Sequence, residues 1–505
     1  MDLEKRVRDY AQRNFNEVHH CTLNPDGPGV VRIFLVPPVV GGDGDSAEVG
    51  SMAIINGQDV IPVNTSWSIL LIEFIRAVNR YDGKAVSDQD VEDIQRATCK
   101  SVRKVYPLIS KKRLRADLYT IMKTFSQVAR GEQVDEPIHY VPLGEYAPFM
   151  RAPHRMDLMV SAMTVDGRWN CNQRCLHCYA AGQEQSSEEE LPTTAWKDIV
   201  DRCRKAGVVQ LTFTGGEPTM RDDLFELIDY ARWFVTRLNT NGIKLTPEYC
   251  KRLRDASLDS VQVTFYSCDE SVHDELVGAP CYVHTVAGIE NALAAGLNLS
   301  VNTPLCTTNR DYVKTLEFLH DKGVLYVTCS GLITTGNAAK PKSERLQLGS
   351  DEMKQILREA TSFCYAHGME ISFTSPGWVD PGFCNELGMN DPACGACLSN
   401  MAVTPGGHVV PCQSWLSGTV LGDMRTDDWN DIWNGERSKA IRSHSAKMDG
   451  SCPLRKHASE QDRPTLSQCT GEIDDAAPGL PQDEAAQSPA DDAPAPAFNG
   501  EGEGA

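Results

Sequence analysis

From about Met156 to residue 335, strand-like and helix-like segments alternate, and that rhythm limits the chain to few architectures. Val208–Thr214 (VVQLTFT) is a near-continuous apolar run ending in Gly215-Gly216. Asp222–Trp233, Thr246–Ala256, His284–Ala295 and Asp311–Lys322 carry helical patterns, and Phe234–Leu238, Ser260–Tyr266, Leu297–Leu305 and Val324–Cys329 read as the strands between them. Strands alternating with helices of this length predict parallel βαβ units with helices covering the sheet. The strands are apolar and weakly alternating, which predicts burial on both faces. About six units are too few for a closed eight-unit barrel. The expected fold class is therefore α/β, as a partial (β/α)6 TIM-type barrel or an open twisted sheet. Ligands belong at the carboxyl ends of such strands. Gly215-Gly216-Glu217-Pro218, Asn241-Gly242 and Asn302 all fall there.

Three further regions flank this core. Residues 1–150 hold strand-like VVRIFLVPPVV and SMAIINGQDVIPV, then helical patterns in SWSILLIEFIRAVNRY, Asp88–Ala97 and Arg115–Ala129. A small sheet followed by helices predicts a compact α+β recognition domain. Residues 380–470 form a Cys-rich C-terminal extension. The tail 472–505, rich in Ala, Pro, Asp and Glu, cannot bury enough apolar surface to fold and is expected to be disordered. Its nine acidic residues, with no Lys or Arg, account for much of the formal charge of −20, leaving −11 on the rest. That balance argues against nucleic-acid binding, which needs a basic face. Locally, Lys111-Lys112-Arg113-Leu114-Arg115 could make a basic patch, but such a run reads more readily as a solvated helix end. No apolar run is long enough to span a membrane. The N-terminal MDLEKRVRDYAQRN has no signal-peptide core, so the expected location is cytoplasmic.

Eighteen cysteines are many for such a chain. Reducing conditions disfavour disulfides, which leaves metal ligation as the leading account. Cys171-x3-Cys175-x2-Cys178 places three thiols in eight residues. One loop of this kind can cap three corners of a four-iron cubane and leave the fourth iron open. A structural zinc site wants four protein ligands, and no fourth cysteine stands at zinc-finger distance, although His177 lies inside the loop.

This spacing resembles the signature of the radical S-adenosylmethionine (SAM) superfamily, with His177 where relatives usually carry an aromatic residue. Gly215-Gly216-Glu217-Pro218 is similar to that family's segment for the methionine end of SAM. Asn239-Thr240-Asn241-Gly242, Val261–Ser267, His273-Asp274 and Asn302 resemble later strand ends, and Thr264 stands where relatives often have Ser. The resemblance covers 156–335. It implies a [4Fe-4S] cluster on Cys171, Cys175 and Cys178, with SAM at the open iron held by Gly215, Gly216, Glu217, Pro218, Asn241, Thr264 and Asn302. It also implies an electron donor such as flavodoxin or ferredoxin. The chemistry implied is reductive cleavage of SAM to a 5′-deoxyadenosyl radical that abstracts hydrogen from substrate.

Downstream, CGACLSNMAVTPGGHVVPC, then Leu421-Gly422-Asp423 and Ile432-Trp433, resemble the auxiliary-cluster extension called SPASM, or Twitch in its shorter form. The full extension has a denser cysteine run than this chain. The resemblance implies one auxiliary iron–sulfur cluster on Cys394, Cys397, Cys412 and Cys452, with Cys384 an alternative to Cys452 and a zinc ribbon an alternative to the cluster. Cys268 and Cys306 lie just past strand ends. Proteins with such extensions modify peptides or proteins by crosslinking, epimerisation or side-chain oxidation, and the N-terminal region loosely resembles winged-helix modules that capture a leader peptide by β-augmentation. The expected partner is thus a peptide or protein. A small-molecule step in cofactor biosynthesis is the enzymatic alternative, and a non-catalytic zinc- or cluster-binding regulator the alternative of another class. No catalytic acid or base is legible in the sequence.

Overall fold

The computed structural model describes residues 3–23, 30–37, 51–57, 59–81, 86–132, 134, 143–447 and 449–455. The tail read as disordered, 472–505, and Cys469 lie outside them.

An α-helix, α1 (Leu3–Asn14), leads into a four-stranded antiparallel sheet of order β1 (His19–Leu23), β2 (Val31–Val36), β3 (Ser51–Ile55) and β4 (Asp59–Val63). The segment read as one strand is a hairpin. Asn56 and Gly57 both take positive φ (49° and 75°) in the short turn that joins Ile55 to its register partner Asp59. Three helices follow: α2 (Thr65–Val78), α3 (Asp88–Val105) and α4 (Lys111–Ala129). Each begins at a polar cap that accepts an orphan N–H: Asn64 from Trp67, Ser87 from Asp90 and Ser110 from Arg113. Lys111, Lys112, Arg113 and Arg115 sit exposed on the first turns of α4. Sheet and helices enclose their own core around Ile33, Ile55, Leu71, Ile75, Val102 and Ile121.

The remaining strands are β5 (Arg155–Ser161), the hairpin β6 (Thr164–Val165) and β7 (Arg168–Trp169), β8 (Gln210–Gly215), β9 (Val235–Thr240), β10 (Ser260–Thr264), β11 (Leu299–Pro304), β12 (Tyr326–Ser330), β13 (Glu370–Phe373), β14 (Asn400–Val403), β15 (His408–Val410) and β16 (Gly422–Asp423). Apart from β6–β7 they form one sheet of order β13-β12-β11-β10-β9-β8-β5-β14-β15-β16. Every pair from β13 to β14 is parallel, and β15 and β16 continue antiparallel. The outer strands β13 and β16 do not pair with each other, so the described sheet is open. The strand β13, after the helix Ser350–Ala366, adds a unit to the six read from the sequence.

Burial on both faces holds for β5 and β8 but not for β9 to β12. There every second residue is fully buried, and the intervening ones (Arg237, Asn239, Gln262, Thr264, Ser300, Asn302, Thr328) are polar and only half-buried. The apolar set packs under the helices. The polar set faces the other way, toward a chamber side where these residues keep part of their surface open to water.

Candidate functional site

The three-cysteine loop begins where β7 ends. Its backbone is tied down from two sides. Arg174 N donates to Val277 O (2.8 Å) and Leu176 N to Leu276 O (3.0 Å), which docks the loop on the helix Glu270–Val277. Asn337 N donates to Cys178 O (2.9 Å), Asn337 Nδ2 to Cys175 O (3.1 Å) and Ser343 Oγ to Leu176 O (3.0 Å). Burial pushes the thiols of Cys171, Cys175 and Cys178 up, and for Cys171 and Cys175 the neighbouring thiols add to the rise. Three enclosed thiols that cannot readily ionise alone are the donor set a cationic cluster would ionise by binding.

His177 is 6% exposed, its Nε2 is 3.1 Å from Tyr266 Oη, and its Nδ1 has no partner. Burial pulls its pKa down to about 4, so the ring is neutral.

The glycine segment closes against β5. Gly215 has φ +138°, and a Cβ there would lie 2.2 Å from Ser161 O; one on Gly216 would lie 2.8 Å from Ala162 O. No side chain fits between the strands, so only backbone fills this turn. Glu217 is 2% exposed. Its Oε1 accepts from Thr219 N (3.0 Å), Thr219 Oγ1 (2.6 Å) and Thr240 Oγ1 (2.7 Å), and its Oε2 accepts from Asn241 N (2.9 Å). The carboxylate thus ties the end of β8 to the end of β9, with capacity left on Oε2. Burial raises its pKa, against the pull of those hydrogen bonds. Asn241 Nδ2 in turn donates to Asn172 Oδ1 (2.6 Å), linking the strand end to the cysteine loop.

Thr264 and Asn302 are register partners on β10 and β11, and Asn302 Oδ1 accepts from Thr328 Oγ1 (2.9 Å). Gly215, Asn241, Thr264 and Asn302 therefore stand along one edge of the sheet, and Asn241 meets the cysteine loop at Asn172. Asn172 and Thr240 join these pieces without having been singled out in the sequence. Thr240 belongs to the Asn-Thr-Asn-Gly run that flags a strand end, whereas no pattern marks Asn172. Enclosed thiols, a turn with room for backbone alone and a buried carboxylate with spare capacity fit a [4Fe-4S] cluster with SAM.

A second thiol group lies beside β14, which pairs with β5. Cys397, at φ 53°, donates its N–H to Pro411 O (3.1 Å), drawing the Cys394–Cys397 loop to the start of the segment holding Cys412. Burial pushes Cys394, Cys397, Cys412 and Cys452 up. Cys394 adds to the rise at Cys397, Cys412 and Cys452, so the four share one neighbourhood. Cys384 stands elsewhere, its thiol acting on Cys329 together with Cys364. Trp433 Nε1 and Trp429 Nε1 donate to Met150 O (3.0 Å) and Arg151 O (2.9 Å), fixing this region to the approach to β5. Of the two thiols past strand ends, Cys306 is fully buried and Cys268 is half-buried.

Residues 170–319 match the radical SAM superfamily and residues 394–456 an iron–sulfur cluster-binding domain, SPASM. The chain is 30% identical to the Fe-coproporphyrin III synthase of Methanosarcina barkeri over 290 residues, 52% of this chain and 72% of that protein. It is 28% identical to the PqqA peptide cyclase of Streptomyces rochei over 289 residues, 55% of this chain and 76% of that one. SuiB of Streptococcus suis, solved with its precursor peptide SuiA, has a similar fold: TM-score 0.54 at 13% identity, covering 81% of this chain and 93% of that one. No described helix is long and apolar enough to cross a membrane. A [4Fe-4S] cluster, SAM and an auxiliary iron–sulfur cluster are the cofactors that go with these matches. They replace the regulator reading with an enzyme: the chain belongs to the radical SAM superfamily and carries a SPASM domain.

Proposed function

We propose that the protein is a peptide maturase acting in the cytoplasm. Cys171, Cys175 and Cys178 hold the catalytic cluster, and Gly215, Gly216, Glu217, Pro218, Asn241, Thr264 and Asn302 receive SAM. Cys394, Cys397, Cys412 and Cys452 hold the auxiliary cluster. When bound, the cluster and SAM supply a 5′-deoxyadenosyl radical for hydrogen abstraction from the substrate. Residues 156–335 form the catalytic core and 380–470 the auxiliary domain. Residues 1–150 receive a leader peptide, and flavodoxin or ferredoxin delivers the electron.

The observation that carries the peptide reading is the chamber side of β9 to β12. Asn239, Gln262, Ser300 and Thr328, the residues of that side not given to SAM, offer neutral amides and hydroxyls, both donors and acceptors, as a peptide backbone requires. Asn239 Oδ1 and Ser300 Oγ are buried without a partner, so they await one. The outer strands β1 and β4 each have an edge with no neighbouring strand among the described residues, which suits β-augmentation. Of the proteins similar to this chain, PqqA peptide cyclase is named for a peptide and SuiB was solved bound to a precursor peptide.

A second reading, a small-molecule step in cofactor biosynthesis, is favoured by Arg237. Its guanidinium stands on the same chamber side, its pKa lowered by burial, and its Nε has no partner, which suits a substrate carboxylate. The relative named Fe-coproporphyrin III synthase accords with it.

Incubation of the anaerobically reconstituted enzyme with SAM, a reductant and a synthetic peptide from a short reading frame beside the gene separates the two. The maturase reading expects a change in peptide mass in step with 5′-deoxyadenosine release. Unchanged peptide, with 5′-deoxyadenosine released in step with conversion of a carboxylated small molecule instead, would overturn it.

A further inference from the structure

Besides His177, the cysteine loop encloses a second polar side chain that is not a thiol. Gln173 is 4% exposed, and its carboxamide lies between two sulfurs. Cys175 Sγ donates to Gln173 Oε1 (3.6 Å), and Gln173 Nε2 donates to Cys281 Sγ (3.3 Å). Both ends of this bridge are fixed. Gln173 O accepts from Trp169 Nε1 (2.7 Å), and the next residue is held to Val277. Cys281 is 5% exposed, and Asp274 Oδ1 accepts from its N–H (3.0 Å) and from that of Tyr282 (2.8 Å). Cys281 packs in one apolar group with Tyr266, Leu276 and Cys306, against which Cys175 also packs.

The bridge as it stands belongs to a protonated Cys175. A cysteine bound to iron is a thiolate with no proton to donate, so Oε1 facing it would set acceptor against acceptor. A half-turn of the carboxamide about its terminal bond exchanges oxygen and nitrogen at nearly unchanged positions. Nε2–H then donates to the Cys175 sulfur and Cys281 Sγ–H donates to Oε1, so every group is paired again.

We propose that Gln173 is a positioning residue that donates an N–H to the Cys175 sulfur in the cluster-bound protein, and that the Cys281 thiol holds its carboxamide in that orientation. This rests on Cys175 being a cluster ligand. A hydrogen bond to a ligand sulfur favours the more negative, reduced cluster and so raises its reduction potential. Gln173 and Cys281 therefore set how readily the cluster accepts the electron that cleaves SAM.

The test is a redox titration of the reconstituted full-length enzyme, following by electron paramagnetic resonance the signal that changes on adding SAM, which separates this cluster from the auxiliary one. Q173L should keep its iron and lower the midpoint of that signal. Q173E, nearly the same size, should lower it further by placing an acceptor and a negative charge beside the sulfur, and it carries the test if Q173L fails to load. C281A should lower the midpoint part of the way, and C281S, which restores a donor, should recover the parent value. A loaded Q173L or Q173E with the parent midpoint overturns the proposal, as does C281S shifting as far as C281A. Failure of the ligand assignment looks different: C175A would keep the SAM-responsive signal.

Discussion

Gly215 shows how little freedom the cofactor turn has. Its φ of +138° is costly for any residue with a side chain, and the Cβ of an alanine would lie 2.2 Å from a backbone oxygen that cannot retreat. G215A is expected to destabilise the protein by roughly 2–4 kcal/mol, from backbone strain and overpacking, seen as a lower urea midpoint. Glu217 is exacting in a different way. In E217Q the side chain gives up an acceptor oxygen to an NH2 group that faces N–H or O–H donors at Thr219, Thr240 and Asn241. The ends of β8 and β9 then separate, and KM for SAM should rise by about tenfold or more, the worth of one to two lost charged hydrogen bonds. An unchanged KM would show that this carboxylate does not organise the SAM site. The cysteines and the Gly-Gly-Glu-Pro run were legible because their spacing in sequence is their chemistry. The partners of Glu217 were not, since Thr240 and Asn241 come from the next strand and only the parallel register brings them in.

The helices were legible from their apolar stripes, but α3 runs past Ala97 to Val105 and α4 begins at Lys111 rather than Arg115, after the Ser110 cap that the pattern did not reveal. The hairpin β3–β4 was overlooked although Asn56-Gly57 is a strong turn signal, because its flanking residues read as one apolar run. The polar side of β9 to β12 was misjudged for a physical reason. Threonine, asparagine and glutamine between valines look like weak alternation in a buried strand, and only an open chamber gives them somewhere to point. One contact joins two elements whose sequences give no hint of it. Glu188, just after the cysteine loop, accepts from Thr404 Oγ1, from Gly406 N (3.1 Å) and, through Oε1, meets His408 Nδ1 (2.9 Å) on the β14–β15 hairpin. E188A removes all three partners and should cost about 1–3 kcal/mol. The loss should appear as faster amide hydrogen exchange over 404–408, with exchange in β9 to β11 unchanged.

The N-terminal sheet packs directly on the core that carries the cysteine loop. Phe34, Val36 and Ile54 of the N-terminal sheet pack on Val209, with Trp233 and Val235 against them, and Arg32 pairs with Asp259 (2.8 Å). His20 stacks on Phe34 (4.5 Å) in this interface. Burial, then the nearby Arg32 and Arg204, pull its pKa down to about 3. The folded state thus refuses a proton that the unfolded chain takes up near pH 6.5. The stability His20 permits is complete well above pH 6.5 and declines as pH falls toward 3, by roughly 1–2 kcal/mol at pH 5.5. H20F should flatten the acid side of a melting-temperature profile, and a profile parallel to the parent would contradict the assignment. On the far side of β5, β14 extends the same sheet, so the auxiliary thiols are carried by an element continuous with the catalytic core. The account as a whole stands on Cys171, Cys175 and Cys178 holding a cluster that cleaves SAM. The most direct measurement is 5′-deoxyadenosine production by the anaerobically reconstituted protein with SAM and dithionite, alongside iron content. The expected result is iron for two clusters and 5′-deoxyadenosine in the parent, with C175A keeping the auxiliary iron and making none. A colourless protein that binds only zinc, or a C175A variant as active as the parent, would contradict it.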